Sequence, residues 1–296
     1  MNIVIVGGGA TGIEVAGILS EMKKFVLPND YPDMPSSLMH IYLIEAGPRL
    51  LAGMSEESSA HAEQFLREMG VNILLNKRVV DYRDHKVVLE DGTEIATRTF
   101  IWVSGVTGVT IGNLDASLIG RGGRIKVDSF NRVEGMNNVF AIGDQCIQVA
   151  DEDYPNGHPQ LAQVAIQQGE LLAKNLVRME KGREMKPFHY RNLGSMATVG
   201  RNRAVAEFSK VKMQGWFAWV MWLVVHLRSI LGVRNKVIVL LNWVWNYFTY
   251  DQSMRMIVYA RKAKEIRDRE KVEETTHWGK ELVQEEKNPS ITSSSK

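Results

Sequence analysis

The chain has 296 residues, 45% of them hydrophobic, which suits one large core or two modest ones and makes two domains the first expectation. Its 36 basic and 34 acidic residues leave a net charge of +2, and no basic stripe with interleaved aromatics appears in the first 200 residues, which argues against nucleic acid as a partner. A single cysteine, Cys146, excludes an internal disulfide or a multi-cysteine metal site and fits a reducing compartment, so no metal is expected.

Residues 2–14 read NIVIVGGGATGIE, a short apolar strand running into Gly7-x-Gly9-x-x-Gly12 and then a helix. Each glycine has a mechanical job in a dinucleotide-binding finger: Gly7 makes the tight turn, Gly9 lets the backbone approach a pyrophosphate, and Gly12 lets helix pack on strand. The first helical turn then presents its N–H groups to phosphate. The strand is too short and glycine-broken to be a secretory leader, so synthesis and residence in the cytoplasm are expected.

The finger helix is expected to run to about Lys24, where LPNDYPDMPSS with its three prolines ends the pattern. A buried second strand over residues 40–46 ends in Glu45. Ser55 caps a helix to about Met69 that Gly70 terminates, and residues 71–75 form a third parallel strand. Short antiparallel strands over 79–82, 86–89 and 94–96, with Asp91-Gly92 as a hairpin turn, precede a return to the main sheet at 99–103. This alternation is that of a nucleotide-binding α/β domain.

From Gly105 to Gly123 the glycine-rich chain leaves that domain. Strands are expected over 124–127 and 138–142, the latter buried and ending in Gly143-Asp144. A long helix is predicted over 159–181 with Leu161, Ala165, Leu172 and Leu176 on its apolar face, followed by two short strands around a turn within 194–208. Five of the seven tryptophans then fall between Trp216 and Trp245. The longest stretch of that region without charge or histidine, residues 237–250, is 14 long against the ~20 needed to span a bilayer. The region therefore reads as two helices lying in the membrane interface, with a hydrophobic core or dimer helix as the alternative. From Arg261 onward a charge-rich segment reads as a solvated helix fraying into a disordered end.

Three acids stand out. Glu45, at the end of the second strand, suits ribose hydroxyls and favours NADH over NADPH, although it lies 33 residues after Gly12 instead of the usual ~20, because of the proline-rich insertion. Arg49 nearby leaves NADPH open. Asp144 ends a buried strand, where ligands of open α/β sheets bind, or it caps a helix. Glu14, two residues past Gly12, either stabilises the helix dipole or points toward whatever lies over the nicotinamide.

The segments GGGATGIE, LIEAGPRLL, TFIWVSGV, RGGRIKVD, NVFAIGD, LAQVAIQQG, KPFHY, GSMATVGR, AVAEF and VHLRSILGVRNK, in that order and spacing from residue 2 to about residue 257, resemble the type II (non-proton-pumping) NADH:quinone oxidoreductases of the two-dinucleotide-domain flavoprotein superfamily. The resemblance implies an α/β fold with a Rossmann-like NADH-binding domain over 1–106, the C-terminal part of a discontinuous FAD-binding domain over 107–212, interfacial membrane helices over 213–257, and a charged tail over 258–296. It assigns NADH to Gly7, Gly9, Gly12 and Glu45, with Gly105 also counted as cofactor-binding, and FAD to Gly143, Asp144 and Ala165. Gln163 and Gln167 of the A-Q-x-A-x-Q pattern are placed near the quinone carbonyls, and Glu14 is the proton-relaying acid. The implied partners are a membrane quinone and the lipid surface, with a homodimer possible, and the implied location is monotopic on the cytoplasmic face of the cell membrane.

In that superfamily a first GxGxxG finger, which binds the FAD adenosine diphosphate, lies upstream of the NADH finger, whereas this sequence starts at the second. The expected explanations are a truncated product or misplaced start, one half of a split protein, or a chain that binds NADH alone. The function expected first is NADH:quinone oxidoreduction; the rivals are a membrane-bound NADH-binding remnant or subunit, and a soluble pyridine-nucleotide disulfide reductase.

Overall fold

The computed structural model describes residues 1–33, 35–109, 111–209 and 211–249. It divides into two compact units, Met1–Val239 and Leu240–Lys296. The charged tail from Arg261 lies outside the described residues, as do the last residues assigned to the interfacial helices.

The first unit begins with β1 (Asn2–Val6), α1 (Ala10–Glu21), the short α2 (Leu27–Asp30), β2 (His40–Ile44), α3 (Glu56–Glu68) and β3 (Val71–Leu74). An antiparallel meander follows, β4 (Val79–Arg83), β5 (Lys86–Leu89) and β6 (Glu94–Ala96), and β7 (Thr99–Trp102) then returns to the main sheet. The main sheet has the order β3-β2-β1-β7 and is parallel throughout, with Ile5 opposite both Leu43 and Ile101. Its strands are largely apolar because both faces are covered, one by α1 and α3 through Ile13, Ala16 and Leu66, the other by the β4–β6 meander through Val87, Leu89 and Ile95. This is the α/β, Rossmann-like class that the sequence leads one to expect.

The helix does not stop at Lys24. Residues Met22–Val26 widen into a π turn and Leu27–Asp30 resumes the α-helix, so helical backbone continues past Pro28. Pro28 has no N–H to give the carbonyl four residues back, but in the first turn after a wide turn that donor is not required.

Beyond the main sheet come β8 (Ile125–Val127), β9 (Cys146–Gln148), α4 (Ala162–Glu180), the three-stranded sheet β10 (Ser195–Gly200), β11 (Arg203–Phe208) and β12 (Val211–Gln214), and the helices α5 (Gly215–Ser229) and α6 (Val233–Thr249). Residues 138–142 do not form the expected strand. Their extended backbone meets residues 131–133 at the single bridge Arg132–Phe140, with Val133 N–H donating to Val139 O and Ala141 N–H to Asn131 O, and Val139 is exposed. The parallel partner of β8 is β9 instead. Helix α4 starts at Ala162 rather than 159 and turns a different face inward: Val164, Gln168 and Asn175 are buried, while Leu161 and Leu176 are exposed. An extended segment after the helix satisfies its backbone through α4 amides, and this favours a polar inner face over the apolar one.

The largest core joins distant parts of the chain. Ile5, Ile13, Ala16, Leu43 and Leu66 of the main sheet and its helices share it with Ala197, Val199 and Val205 of β10 and β11. One stripe of α1, spaced i, i+3 and i+7, faces β10. Thr198 Oγ donates to Glu14, a Cβ on Gly17 would lie 1.9 Å from Val199 O, and Glu21 Oε1 accepts from Arg201 N–H at 2.5 Å. Only glycine at position 17 permits that approach.

A second tie runs from α3 to β11. Ser55 caps α3 by accepting from Ser58 N–H, and its own N–H and hydroxyl donate to Glu207 Oε1 at 2.9 and 2.5 Å. Burial pushes the Glu207 carboxyl up, but the bonds from Ser55 and Ser58 outweigh it and hold the carboxyl below its ordinary value. Ser55→Ala removes cap and tie together and is expected to cost about 1–2 kcal/mol in urea unfolding; an unchanged midpoint would refute the cap.

Candidate functional site

The finger is built as its glycines require. Gly7 adopts φ +117 and Gly12 sits so close to it that a Cβ there would lie 1.8 Å from Gly7 O. Gly9 is the N-cap of α1, and a Cβ on it meets nothing within 4 Å. The N-terminal N–H groups of α1 therefore face open space, with no acid in the first turn to oppose an anion. Gly105, where β7 hands on to the next segment, has φ +81 and likewise faces open space.

Glu45 follows β2 directly and folds back over the glycine turn. Its Oε2 accepts from Gly8 N–H at 2.6 Å and its Oε1 from Gly47 N–H at 2.7 Å. The carboxylate is thus fixed beside the finger, at the strand end where ribose hydroxyls are read. Arg49 is turned to protein carbonyls, donating to Met54 O at 2.7 Å and Ala52 O at 2.9 Å, and so is committed to its own loop rather than to a 2′-phosphate.

Glu14 lies half-buried between α1 and β10. Burial raises its carboxyl above the ordinary 4.5, against the lowering effect of Thr198 and of the His226 imidazole on α5. One face of α5 packs on the β10–β12 sheet through Ala218 against Ala204 and Ala206. Its other side exposes Trp216, Phe217, Met221 and Val224. No described helix is long and apolar enough to cross a membrane.

On α4, the two amides singled out from the sequence are both bound to main chain. Gln163 donates to Gly194 O (3.0 Å) and accepts from Leu193 N–H (3.1 Å), while Gln167 donates to Arg191 O (2.9 Å) and accepts from Arg191 N–H (3.1 Å). Near the start of the same helix, Ala165 Cβ comes within 3.2 Å of where a Cβ on Gly143 would be. Gly143 has φ +68, a conformation suited to glycine, and it leads into the exposed Asp144.

The family profile of the pyridine nucleotide-disulphide oxidoreductases matches residues 1–169, and that of the NDH2 C-terminal domain matches residues 192–250. The chain belongs to the pyridine nucleotide-disulphide oxidoreductases, in their type II NADH dehydrogenase (NDH2) branch. It is 35% identical over 256 residues to the type II NADH:quinone oxidoreductase NdhA of Mycobacterium tuberculosis, covering 82% of this chain and 53% of that protein. It is 32% identical to the mitochondrial internal alternative NAD(P)H-ubiquinone oxidoreductase A1 of Arabidopsis thaliana, covering 82% of this chain and 51% of that one. The chain thus spans about half the length of these curated relatives. In fold it is similar to the structure of NDH2 from Plasmodium falciparum in complex with NADH, with a TM-score of 0.75, 19% identity, and 84% of this chain and 66% of that one covered.

In this NDH2 chain the structure adds residues that sequence reasoning did not single out. Gln168, beside Gln167 but buried, accepts from Gly143 N–H at 2.6 Å and so fixes the turn that carries Asp144. Asn175 pairs at both ends with Lys186, at 2.8 and 2.9 Å. Asp151 is buried with His158 and Tyr190. A helical spacing of 163, 167 and 175 is the one sequence signal that these amides share a face. Cys146 is buried, and burial pushes its thiol up, consistent with packing rather than nucleophilic chemistry. Among the described residues no cluster of metal-ligating side chains occurs.

Proposed function

We propose that this chain carries the NADH-binding and quinone-facing parts of a type II NADH:quinone oxidoreductase, in which NADH loses a hydride and a membrane quinone gains two electrons and two protons. The observation that carries this reading is Glu14: a half-buried carboxyl on the nucleotide-finger helix, raised above its ordinary value, lying against β10 and within the field of His226 on the tryptophan-rich helix. It links a dinucleotide cradle to an exposed apolar surface. A carboxyl at that position can take up a proton and deliver it to a reduced quinone.

FAD, when bound, supplies the two-electron relay between the two substrates. The residues present fit such groups. The open space above Gly9 takes a pyrophosphate against the α1 N–H groups, and Glu45, fixed by Gly8 and Gly47, accepts from a ribose. The exposed carboxylate of Asp144, carried on the turn that Gln168 holds and followed by Ala165, suits the hydroxyl-bearing part of FAD. Gln163 and Gln167 serve the quinone side by fixing the backbone of residues 191–194, to which each amide both donates and accepts.

The same reading divides the chain into an NADH-binding region over 1–106, a flavin and quinone region over 107–212 and interfacial helices over 213–257. The exposed aromatics of α5 then sit at the headgroup level. It further places a homodimer on the cytoplasmic membrane face, which light scattering and protease accessibility in vesicles of known orientation would read. The deciding experiment is purification of the chain with added FAD: retained flavin absorbance together with NADH-dependent reduction of a short-chain quinone supports the proposal. Colourless protein that binds NADH overturns it in favour of a membrane-associated NADH-binding subunit without turnover.

A further inference from the structure

Residues 186–194 run extended between α4 and β10 and form no ladder strand, so their backbone groups need partners elsewhere. The α4 side chains supply them in antiparallel order: Asn175 at Lys186, Gln167 at Arg191, and Gln163 at Leu193 and Gly194. Midway, Phe188 N–H donates to Ser129 O at 2.7 Å. Two residues on, Tyr190 N–H donates to Asp151 Oδ2 at 3.0 Å.

Asp151 lies before α4, and only 3% of it is exposed. The same Oδ2 meets His158 Nε2 at 2.9 Å, while Oδ1 accepts from Asp153 N–H at 3.3 Å and lies 3.8 Å from His189 Nδ1. The His158 ring is enclosed by Tyr154 and Phe188, each with centroids 5.2 Å away. An acid buried among aromatics costs stability unless every lone pair is used. Here its bonds join two segments that otherwise run separately, the one entering α4 and the one paired along it.

We propose that Asp151, oriented by His158, is a positioning residue that latches residues 186–194 onto α4 and thereby sets Gln163 and Gln167 for the quinone. Its effect on quinone rests on the function proposed above; its effect on the 186–194 segment does not. The test compares the full chain with Asp151→Ala and with Asp151→Asn, which keeps the volume and one acceptor for Tyr190 N–H. Hydrogen exchange read by mass spectrometry is expected to quicken about tenfold in peptides covering 186–194 in the alanine variant, as loss of a hydrogen bond to a charged group predicts. Peptides from β1 and β11 stay unchanged, and asparagine restores most of the protection.

With FAD and decyl-ubiquinone, the alanine variant raises the quinone KM about tenfold while the NADH KM and kcat hold, and asparagine rescues it. Unchanged exchange at 186–194, or equal acceleration throughout both variants, overturns the latch. A loosened segment with an unchanged quinone KM overturns its link to Gln163 and Gln167. A wild-type chain that reduces no quinone sinks the proposed function, while the exchange comparison still decides the latch.

Discussion

Gly12→Ala is expected to abolish NADH binding and to lower stability by about 3 kcal/mol, the upper part of the range for overpacking a filled site. The new Cβ would stand 1.8 Å from Gly7 O and 3.4 Å from Leu43 Cδ1. The first of these is backbone and cannot rotate away. Gly7 N–H is bonded to Ile44 O at 2.9 Å, so shifting the turn would break its tie to the sheet. Gly9→Ala provides the contrast, because a Cβ there meets nothing in the protein and would intrude only on a bound pyrophosphate. Urea unfolding and NADH titration followed by fluorescence therefore separate the two. Gly12→Ala loses fold and ligand, Gly9→Ala loses ligand alone. Equal stability of both variants would refute the packing argument.

Glu14→Gln is expected to slow quinone reduction roughly a hundredfold, within the usual contribution of a positioned proton donor, and at the same time to raise the melting temperature at neutral pH. The second half follows from linkage. Burial raises the folded-state carboxyl above its ordinary 4.5, so the folded protein binds this proton more tightly than the unfolded chain does. Stability from this group is then highest below 4.5, declines as pH rises through that value, and levels off above the raised folded value. Glutamine cannot ionise, so its variant lacks that decline. Melting curves across the acidic to neutral range check the sign, and stopped-flow quinone reduction checks the rate. A variant as active as wild type would remove Glu14 from the proton path, and one with the same pH profile of stability would show that the carboxyl is not desolvated.

The parts of this protein legible in its sequence are those fixed by neighbours along the chain. The glycine spacing of the finger, the Ser55 cap, the Gly70 stop and the Asp91-Gly92 turn are local, and each lies where its chemistry requires. The continuous apolar runs of β1, β2 and β7 give the parallel sheet for the same reason. What sequence did not disclose depends on long-range partners. Residues 138–142 look like a buried strand but find a single bridge. The apolar pattern of α4 misleads because its inner face is polar, with Gln163, Gln167 and Asn175 paired to main chain 11 to 31 residues away. The continuation of helix past Pro28 depends on a wide turn whose only sequence mark is a proline that would otherwise stop it. Of the candidate site, Glu14 and Glu45 were visible by position, but Asp151 and Gln168 act through contacts that no spacing announces.

The core that α1 shares with Val199 and Val205 also constrains how the protein comes to be made. Ribosomal synthesis at about 5–20 residues per second delivers the four strands of the main sheet well before β10 and β11 exist, leaving an interval of roughly 5–20 s. During it Ile13 and Ala16 lack part of their cover and the glycine notch at position 17 faces water. The N-terminal region therefore cannot finish folding as it emerges. High contact order of this kind slows folding and lengthens exposure to aggregation, so holding chaperones should have their longest engagement with α1 rather than with the tryptophan-rich helices made after its partner arrives.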